Sequence, residues 1–417
     1  MKKQLEKLPF YNQLVLPYHF LQAEIAGIKY HFPGKKMRII GVTGTNGKTT
    51  TCFMLWNILK SAGYKTGIMT TIGWGVDKLN PELNHMTTAD AMTLNKRIRE
   101  IKKDNPDFLV LEVTSHALAE FRTLNLPIEI AIFTNLTHEH LDYHKTFTNY
   151  KKAKGKLFKK AKFSILNADD PSCTYYQKLS KGYTTYGIKN GKNRAEDIKL
   201  TNSSVKYSYH DMNIQTKIPG EFNVYNSLAA AVAGVHLGLT KAEIEKGISS
   251  LAKVEGRMNV VDCGQPFTVI VDYAHAPDAL EKVFAALKNH KGRIISVHGG
   301  AGRRDPSTRS VRGEILAKNS DIVIITEDDS RDEDVEKIAR SFIAGAKKAG
   351  KTLGKDLIKE LDRRKAIELA LGMAKKGDLV LVLGKGHEKT ILRADGAHPF
   401  EDAKVVAEIL NEIGFAK

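Results

Sequence analysis

Short, strongly apolar runs of strand length alternate along this chain with helix-period segments, and that alternation restricts the fold more than any other feature. MRIIGV (37–42), DFLVLEV (107–113) and EIAIFTN (129–135) form a first group; FTVIVDY (267–273), RIISVHG (293–299), DIVIITE (321–327) and DLVLVLG (378–384) form a second. A strand with one wet face alternates polar and apolar residues, whereas runs apolar throughout are buried on both faces. Separated by helices, such runs argue for parallel sheets built from βαβ units, an α/β fold. Between Leu200 and Lys217 the sequence turns polar and alternating, as expected of an antiparallel appendage. GEFNVYNSLAAAVAGVHLGL then reads as a buried, alanine-rich helix. The 417 residues exceed the roughly 150 of an ordinary domain. The reading is a short segment 1–36, a central parallel-sheet domain 37–255 and a C-terminal Rossmann-like domain 256–417, the main boundary falling at Glu255–Gly256.

The first of these strands runs into IIGVTGTNGKTTT (39–51), a glycine-containing loop that opens a helix at Lys48. Gly44 and Gly47 let backbone N–H groups of Gly44, Thr45, Asn46 and Gly47 turn toward a phosphate, and the N-terminus of the helix at Lys48, Thr49 and Thr50 adds positive potential. Lys48 would reach the terminal phosphates, and the Thr49 hydroxyl would hold Mg²⁺. The general GxxxxGK[ST] spacing would put glycine at 42, where this chain has Val42, its glycines being Gly41, Gly44 and Gly47. Glu112 ends a buried strand, where a carboxylate needs a partner and a metal ion is a natural one. His138, His140 and His144 follow the next strand.

Composition narrows the class of protein. Lys and Arg number 64 against 47 Asp and Glu, a net charge of +17, which suits nucleic acid, a membrane surface or a small polyanionic substrate. The basic residues are spread along the chain, with a local excess only in KKAKGKLFKKAK (151–162), and no nucleic-acid-binding motif accompanies them. A solvated basic surface and no nucleic-acid partner is the reading. No run approaches the ~18 apolar residues of a membrane span, and MKKQLEKLPF leads into no secretory core. Cys52, Cys173 and Cys263 have neither disulfide nor zinc spacing. The expectation is a cytoplasmic monomer with no membrane partner.

Beyond the loop, LEVTSHAL (111–118), TNLTHEHLDYH (134–144), YKKAKGKLF (150–158), FNVYNSLAA (222–230), EGR (255–257), DYAHAPD (272–278) and GKGHE (384–388) follow in order. With GTNGKTTT they resemble the Mur ligases, the ATP-dependent amino-acid-adding enzymes of peptidoglycan precursor synthesis, and most of all the tripeptide-forming branch. The resemblance runs from about Met37 to the C-terminus. It implies a carboxylate–amine ligase: the acceptor carboxylate takes the γ-phosphoryl group of ATP, and the amine of an amino acid displaces phosphate from the acyl phosphate. It implies two Mg²⁺ sites, with Thr49, Glu112, His140 and Lys154 as ligands, Lys154 carrying a CO₂-derived carbamate. Lys48, Lys154 and His140 would be catalytic. Asn226, Arg257, Asp272 and His275 would approach ATP.

The same resemblance gives Thr87, Thr88, Thr114, Glu120 and Arg122 to a muramoyl-peptide acceptor, although the family's usual TTP continues here as Thr88-Ala89 and its usual Gln is Glu120. It gives Arg309, Asp328, Asp329, Ser330, Arg331, Gly384 and Glu388 to the free amino acid. Relatives that add meso-diaminopimelate typically read Asp-Asn-Pro-Arg where this chain has Asp328-Asp329-Ser330-Arg331, and Arg331 would pair with the distal carboxylate that lysine lacks. Meso-diaminopimelate is thus favoured over L-lysine. The rival for that stretch is a surface loop in which Arg331 pairs with Asp332 or Asp334. Tripeptide-forming relatives carry a uridine-gripping domain ahead of the phosphate loop, and only 42 residues precede Thr43 here. That leaves a second reading, the same ligase chemistry on a UDP-free glutamyl or peptide acceptor. A nucleic-acid-dependent motor and a non-catalytic binding protein are the remaining, weaker alternatives.

Overall fold

A computed structural model describes residues 15–82, 86–201 and 204–415. The chain divides into two compact units, one of Met1–Lys199, Val205–Lys217 and Glu221–Ala252, the other of Leu200–Ser204, Ile218–Gly220 and Lys253–Lys417.

In the first unit β1 (Arg38–Thr43), β2 (Thr66–Met69), β3 (Gly73–Gly75), β4 (Leu79–Pro81), β5 (Phe108–Glu112), β6 (Ile128–Phe133), β7 (Phe163–Asn167), β8 (Tyr183–Gly187) and β9 (Asn193–Arg194) share one sheet. Their spatial order is β4-β3-β2-β5-β1-β6-β7-β8-β9. The apolar runs occupy its centre: β1 pairs in parallel with β5 on one side and β6 on the other, Ile40 standing opposite Val110 and Ile130. The antiparallel pairings are those of β3 with β2 and with the edge strand β4. Chain order reverses at β1, and in open α/β sheets such a switch point leaves a crevice beyond the carboxyl ends of the strands. The phosphate loop and Glu112 both lie at that edge.

The polar stretch forms β10 (Glu196–Leu200), β11 (Val205–Tyr209) and β12 (Met212–Thr216), a small separate sheet in which β11 and β12 are antiparallel. The alanine-rich helix spans Phe222–His236 and is buried along most of its length. It and the helix Lys241–Ser250 pack against the helix Lys48–Ser61 that the loop opens. A Cβ on Gly247 would fall 2.4 Å from Ile58 Cα, so that close approach requires glycine.

In the second unit β13 (Asn259–Val261), β14 (Thr268–Asp272), β15 (Ile294–Gly300), β16 (Ile322–Glu327), β17 (Leu357–Lys359) and β18 (Leu379–Leu383) form a sheet in the order β13-β14-β18-β15-β16-β17. Every pairing is parallel except that of β13 with β14. β19 (Thr390–Arg393) and β20 (Gly396–Pro399) make a hairpin. Helices Arg363–Met373 and Asp402–Glu412 cover one sheet face with an apolar core that includes Ile367, Leu371, Val406 and Ile409. Beneath them Arg363 and Asp402, both fully buried, form a two-pronged ion pair at 2.7 and 2.8 Å. The remaining Arg363 donors reach Glu327 O and Leu383 O, tying together the ends of β16 and β18. No helix among the described residues is long and apolar enough to cross a membrane.

Candidate active site

The phosphate loop is held from below. Asn46 N donates to Asn135 Oδ1, and Asn46 O accepts from Thr134 Oγ1 and Asn135 Nδ2, at 2.6–3.1 Å. Thr45 N donates to Asn135 O, and the Thr45 hydroxyl lies 3.1 Å from Tyr150 OH. Gly47 has φ +84°, and a Cβ there would stand 2.2 Å from Asn226 Oδ1, so Asn226 backs the loop directly. Asn226 is fixed by both helices, donating to Asn223 Oδ1 of its own and accepting from Thr51 Oγ1 of the helix Lys48–Ser61. Lys48 Nζ folds back to donate to Thr45 O at 2.7 Å. Thr50, in the first turn, is buried.

Glu112 is buried, and Glu112 Oε2 accepts from Thr49 Oγ1, Thr71 N and Thr71 Oγ1 at 3.0–3.1 Å. Lys154, on the helix Phe147–Lys160, is also buried, its Nζ donating to Gly44 O at 2.7 Å and lying 3.5 Å from Thr43 Oγ1. Burial, reinforced by the charge of Lys48, pushes this amine well below the ordinary lysine range. Among the described residues no carboxylate stands within 4 Å of it. His140, at φ +57°, turns toward Glu139 (3.8 Å) and packs edge-on to the His116 ring. A tight grouping of carboxylates among the described residues lies elsewhere, at Asp328, Asp329 and Glu388. His144 Nε2 lies 2.9 Å from Ser115 Oγ, and burial, then Lys154 and Lys156, lowers its pKa to about 4.

The five residues expected at the acceptor form one connected set beside Glu112. Thr71 Oγ1 donates to Thr87 Oγ1, Thr88 Oγ1 donates to Glu112 O, and Thr114 N donates to Thr88 Oγ1. Thr114 also caps the helix Ser115–Ala119. Arg122 donates to Thr88 O and makes two bonds to Glu120 Oε2 at 2.6 and 2.9 Å. The glutamate at 120 thus supplies a counter-charge to Arg122 that a glutamine would not.

In the second unit the loops after β14 and β18 interlock with the segment around Gly256. Tyr273 N donates to Gly256 O and Gly384 N donates to Asp272 O. Asp272 accepts from Met258 N and Ala274 N; burial raises its carboxyl pKa against the pull of Arg257, whose guanidinium lies over the Tyr273 ring. His275 Nδ1 lies 2.9 Å from Tyr273 O. Lys385, fully buried, donates to Asp329 Oδ1 and Glu388 Oε2 at 2.8 Å and lies 3.4 Å from Asp328 Oδ1. Burial opposes each charge here, but the mutual attraction outweighs it: Asp328 titrates well below the usual carboxylate range and Lys385 well above the usual lysine one. Gly384 has φ +110°, with room for a Cβ only 3.1 Å from Asp328 Oδ2. Ser330 N donates to Asp328 O.

Arg331 has φ +55°; Arg331 NH1 donates to Gly302 O and Arg331 N donates to Leu392 O. It pairs with neither acid of the surface-loop reading: Asp332 is taken by Arg303, and Asp334 caps the helix Val335–Lys348. Arg309, fully buried, is occupied by Glu333 through two bonds at 2.6 and 2.8 Å.

Comparison with known families matches the Mur ligase middle domain over residues 42–234 and the Mur ligase, glutamate ligase domain over 256–386. The UDP-N-acetylmuramoyl-L-alanyl-D-glutamate--2,6-diaminopimelate ligase 1 of Clostridium acetobutylicum is 38% identical over 92% of this chain and 80% of its own length. The chain belongs to the Mur ligase family. It is an ATP-dependent ligase of the acid–amino-acid type. A second relative, the corresponding diaminopimelate ligase of Syntrophomonas wolfei, is 39% identical over 93% of this chain and 81% of its own length. A solved diaminopimelate ligase structure matches at 29% identity and a TM-score of 0.65, covering 94% of this chain and 83% of that one.

Within this Mur ligase, several supporting residues escape a motif reading. Asn135 lies inside TNLTHEH, but its grip on Asn46 depends on β6 lying beside β1. Thr71 falls in no motif and meets Glu112 because β2 pairs with β5. Lys385 stands inside GKGHE, where spacing alone does not say that three carboxylates surround it. The expected Mg²⁺ and carbamate fit the donors present. Thr49 and Glu112 are already in contact, and Lys154 offers a buried amine without a carboxylate partner, the form able to add CO₂.

Proposed function

We propose that this Mur ligase joins meso-diaminopimelate to the glutamate carboxylate of a muramoyl-L-alanyl-D-glutamate acceptor in peptidoglycan precursor synthesis, in the cytoplasm where ATP is supplied. The observation that carries the choice of amino acid is Arg331. Arg331 is half-buried, its NH1 donates to Gly302 O, and among the described residues no carboxylate forms an ion pair with it. A distal carboxylate would supply the missing anion; the ammonium end of lysine would not.

In the first step an acceptor carboxylate oxygen bonds to the γ-phosphorus of ATP and the bond to the β,γ-bridging oxygen breaks, releasing ADP. The amine nitrogen of the amino acid then bonds to the acyl carbon, the carbon–oxygen bond to phosphate breaks, and a proton leaves the nitrogen. Gly44 to Thr50 hold the triphosphate, and Lys48 leaves Thr45 O to stabilise the charge on the transferring group. Asn226, Arg257, Asp272 and His275 contact the nucleotide. Thr87, Thr88, Thr114, Glu120 and Arg122 orient the acceptor carboxylate, and excluding water protects the acyl phosphate. Mg²⁺, when bound, neutralises phosphate oxygens and raises the electrophilicity of phosphorus; Thr49, Glu112, His140 and Lys154 as its carbamate would hold it. The carbamate forms when the neutral Lys154 amine adds to CO₂ and loses one proton, converting a buried cation site into an anion. Arg309, Asp328, Asp329, Ser330, Gly384 and Glu388 shape the amino-acid pocket around Arg331. An assay of ADP release against a panel of acceptors, with and without UDP, and of amino acids tests the reading. Turnover with no muramoyl peptide but with nucleic acid would refute it.

A further inference from the structure

Glu112 is 1% exposed, and among the described residues every hydrogen bond to its carboxylate falls on one oxygen. Oε2 accepts from Thr49 Oγ1 at 3.0 Å and from Thr71 N and Thr71 Oγ1 at 3.1 Å each. A carboxylate oxygen offers roughly two lone-pair directions, so these donors fill Oε2 and leave Oε1 as the oxygen able to meet a cation. Two of the three come from Thr71, a buried residue outside every motif.

The fold sets Thr71 there by two separate constraints. β2 runs parallel to β5 with Met69 opposite Leu111, so the chain leaving β2 passes the end of β5 where Glu112 stands. It then turns at once: Thr70 N donates to Gly73 O, and Thr70 Oγ1 accepts from Ile72 N at 3.2 Å. A Cβ on Gly73 would lie 2.6 Å from Asn80 O, so β4 presses on that turn from its far side. The backbone of Thr71 is thereby fixed before its side chain contributes, with N–H and hydroxyl aimed at the same atom. The hydroxyl also lies 3.0 Å from Thr87 Oγ1. Having one proton to give, it can accept from Thr87 while donating to Glu112.

We propose that Thr71 is a positioning residue for the metal carboxylate: with Thr49 it pins Glu112 through Oε2 and so presents Oε1 to a divalent cation. This rests on the reading that Thr49 and Glu112 hold Mg²⁺. Partners that orient a metal ligand from outside are worth tenfold to a hundredfold in metal affinity. The plainer role for Thr71 is to satisfy a buried acid, and the two roles separate. A donor needed only for folding changes the melting temperature and leaves the metal affinity of the folded protein alone.

The test measures Mn²⁺ binding to the full chain carrying a non-hydrolysable ATP analogue, by electron paramagnetic resonance, in wild type, Thr71→Val, Thr71→Ser and Glu112→Gln. Valine keeps the N–H and the branched shape and removes the hydroxyl alone. Its dissociation constant for Mn²⁺ should rise about tenfold or more, and serine should restore the wild-type value. ADP release by Thr71→Val should recover as Mg²⁺ is raised, while Glu112→Gln stays inactive. In wild type labelled at its threonine methyl groups, substoichiometric Mn²⁺ should broaden the Thr71 resonance, a check that needs no variant to fold. Unchanged Mn²⁺ affinity in Thr71→Val, with Glu112→Gln weakened, would overturn this inference alone. Wild-type affinity in Glu112→Gln would remove the metal site itself, and the inference with it. A Thr71 resonance untouched by Mn²⁺, or a loss in Thr71→Ser equal to that in Thr71→Val, would also overturn it.

Discussion

Replacing Lys154 by methionine should separate stability from activity. The side chain is fully buried, its amine meets one carbonyl at 2.7 Å, and the strongest charge acting on it is the like charge of Lys48, ahead of Glu139 and Glu112. A buried amine without a counter-ion must either give up its proton or stay charged in a poor solvent, a cost of several kcal/mol at most, and methionine has nearly the same length and no charge. Against that gain, Gly44 O loses its donor, an unsatisfied buried acceptor costing about 1–3 kcal/mol. The balance is a variant about 1–2 kcal/mol more stable than wild type in CO₂-free buffer, which for units of this size raises Tm by roughly 2–8 °C. ADP release should vanish. Bicarbonate should shift the melting curve of wild type and leave Lys154→Met unmoved, and ¹³C-bicarbonate should give a carbamate resonance in wild type only. A variant more than about 2 kcal/mol less stable than wild type would refute the reasoning, because Lys154 would then be holding the fold as a cation.

His298, fully buried beside Phe342 with no hydrogen bond to either ring nitrogen, has its pKa lowered by burial to about 3. The unfolded chain therefore binds the extra proton more readily between its ordinary pKa, about 6.5, and 3, and stability falls as pH falls through that window. His298→Phe should flatten that slope in urea titrations and stabilise the protein by about 1 kcal/mol at neutral pH. Lys385→Met leaves Asp328, Asp329 and Glu388 without their shared cation; a loss of about 3–5 kcal/mol is expected, shrinking as pH is lowered and the carboxylates protonate. Gly47→Ala, whose Cβ would sit 2.2 Å from Asn226 Oδ1 at φ +84°, should raise the KM for ATP at least tenfold, with partial recovery in Gly47→Ala/Asn226→Ala.

What the sequence discloses follows from where each signal is written. Strands buried on both faces must be apolar throughout, so β1, β5, β6 and the four central strands of the second unit stand out as runs. The outer strands do not: β3 is Gly73–Gly75, β4 contains Pro81 and β8 reads YTTYG, short or polar where they are less deeply buried than the centre. Lys48, Glu112 and Lys154 were legible because each stands in a motif. What touches them was not, since Thr71 and Asn135 depend on strand order rather than sequence distance. The Asp329 carboxylate illustrates the limit. Read alone, it is an extra charge that could draw the ammonium of lysine; in the fold it is occupied by Lys385 and Leu392 N. Likewise Arg331 has two acids close behind it in sequence, and the fold commits both elsewhere.

The central claim is that Arg331, which makes no ion pair among the described residues, receives the distal carboxylate of the amino acid, and competition between amino acids tests it most directly. ADP release is followed with a muramoyl-L-alanyl-D-glutamate acceptor while meso-diaminopimelate and L-lysine are varied, in wild type and in Arg331→Ala. A charge-assisted pair contributes about 1.5–3 kcal/mol, so kcat/KM for meso-diaminopimelate should exceed that for lysine by at least tenfold, and Arg331→Ala should erase the difference by lowering the diaminopimelate value alone. A kcat/KM for lysine equal to or above that for diaminopimelate, unchanged in Arg331→Ala, would contradict the account.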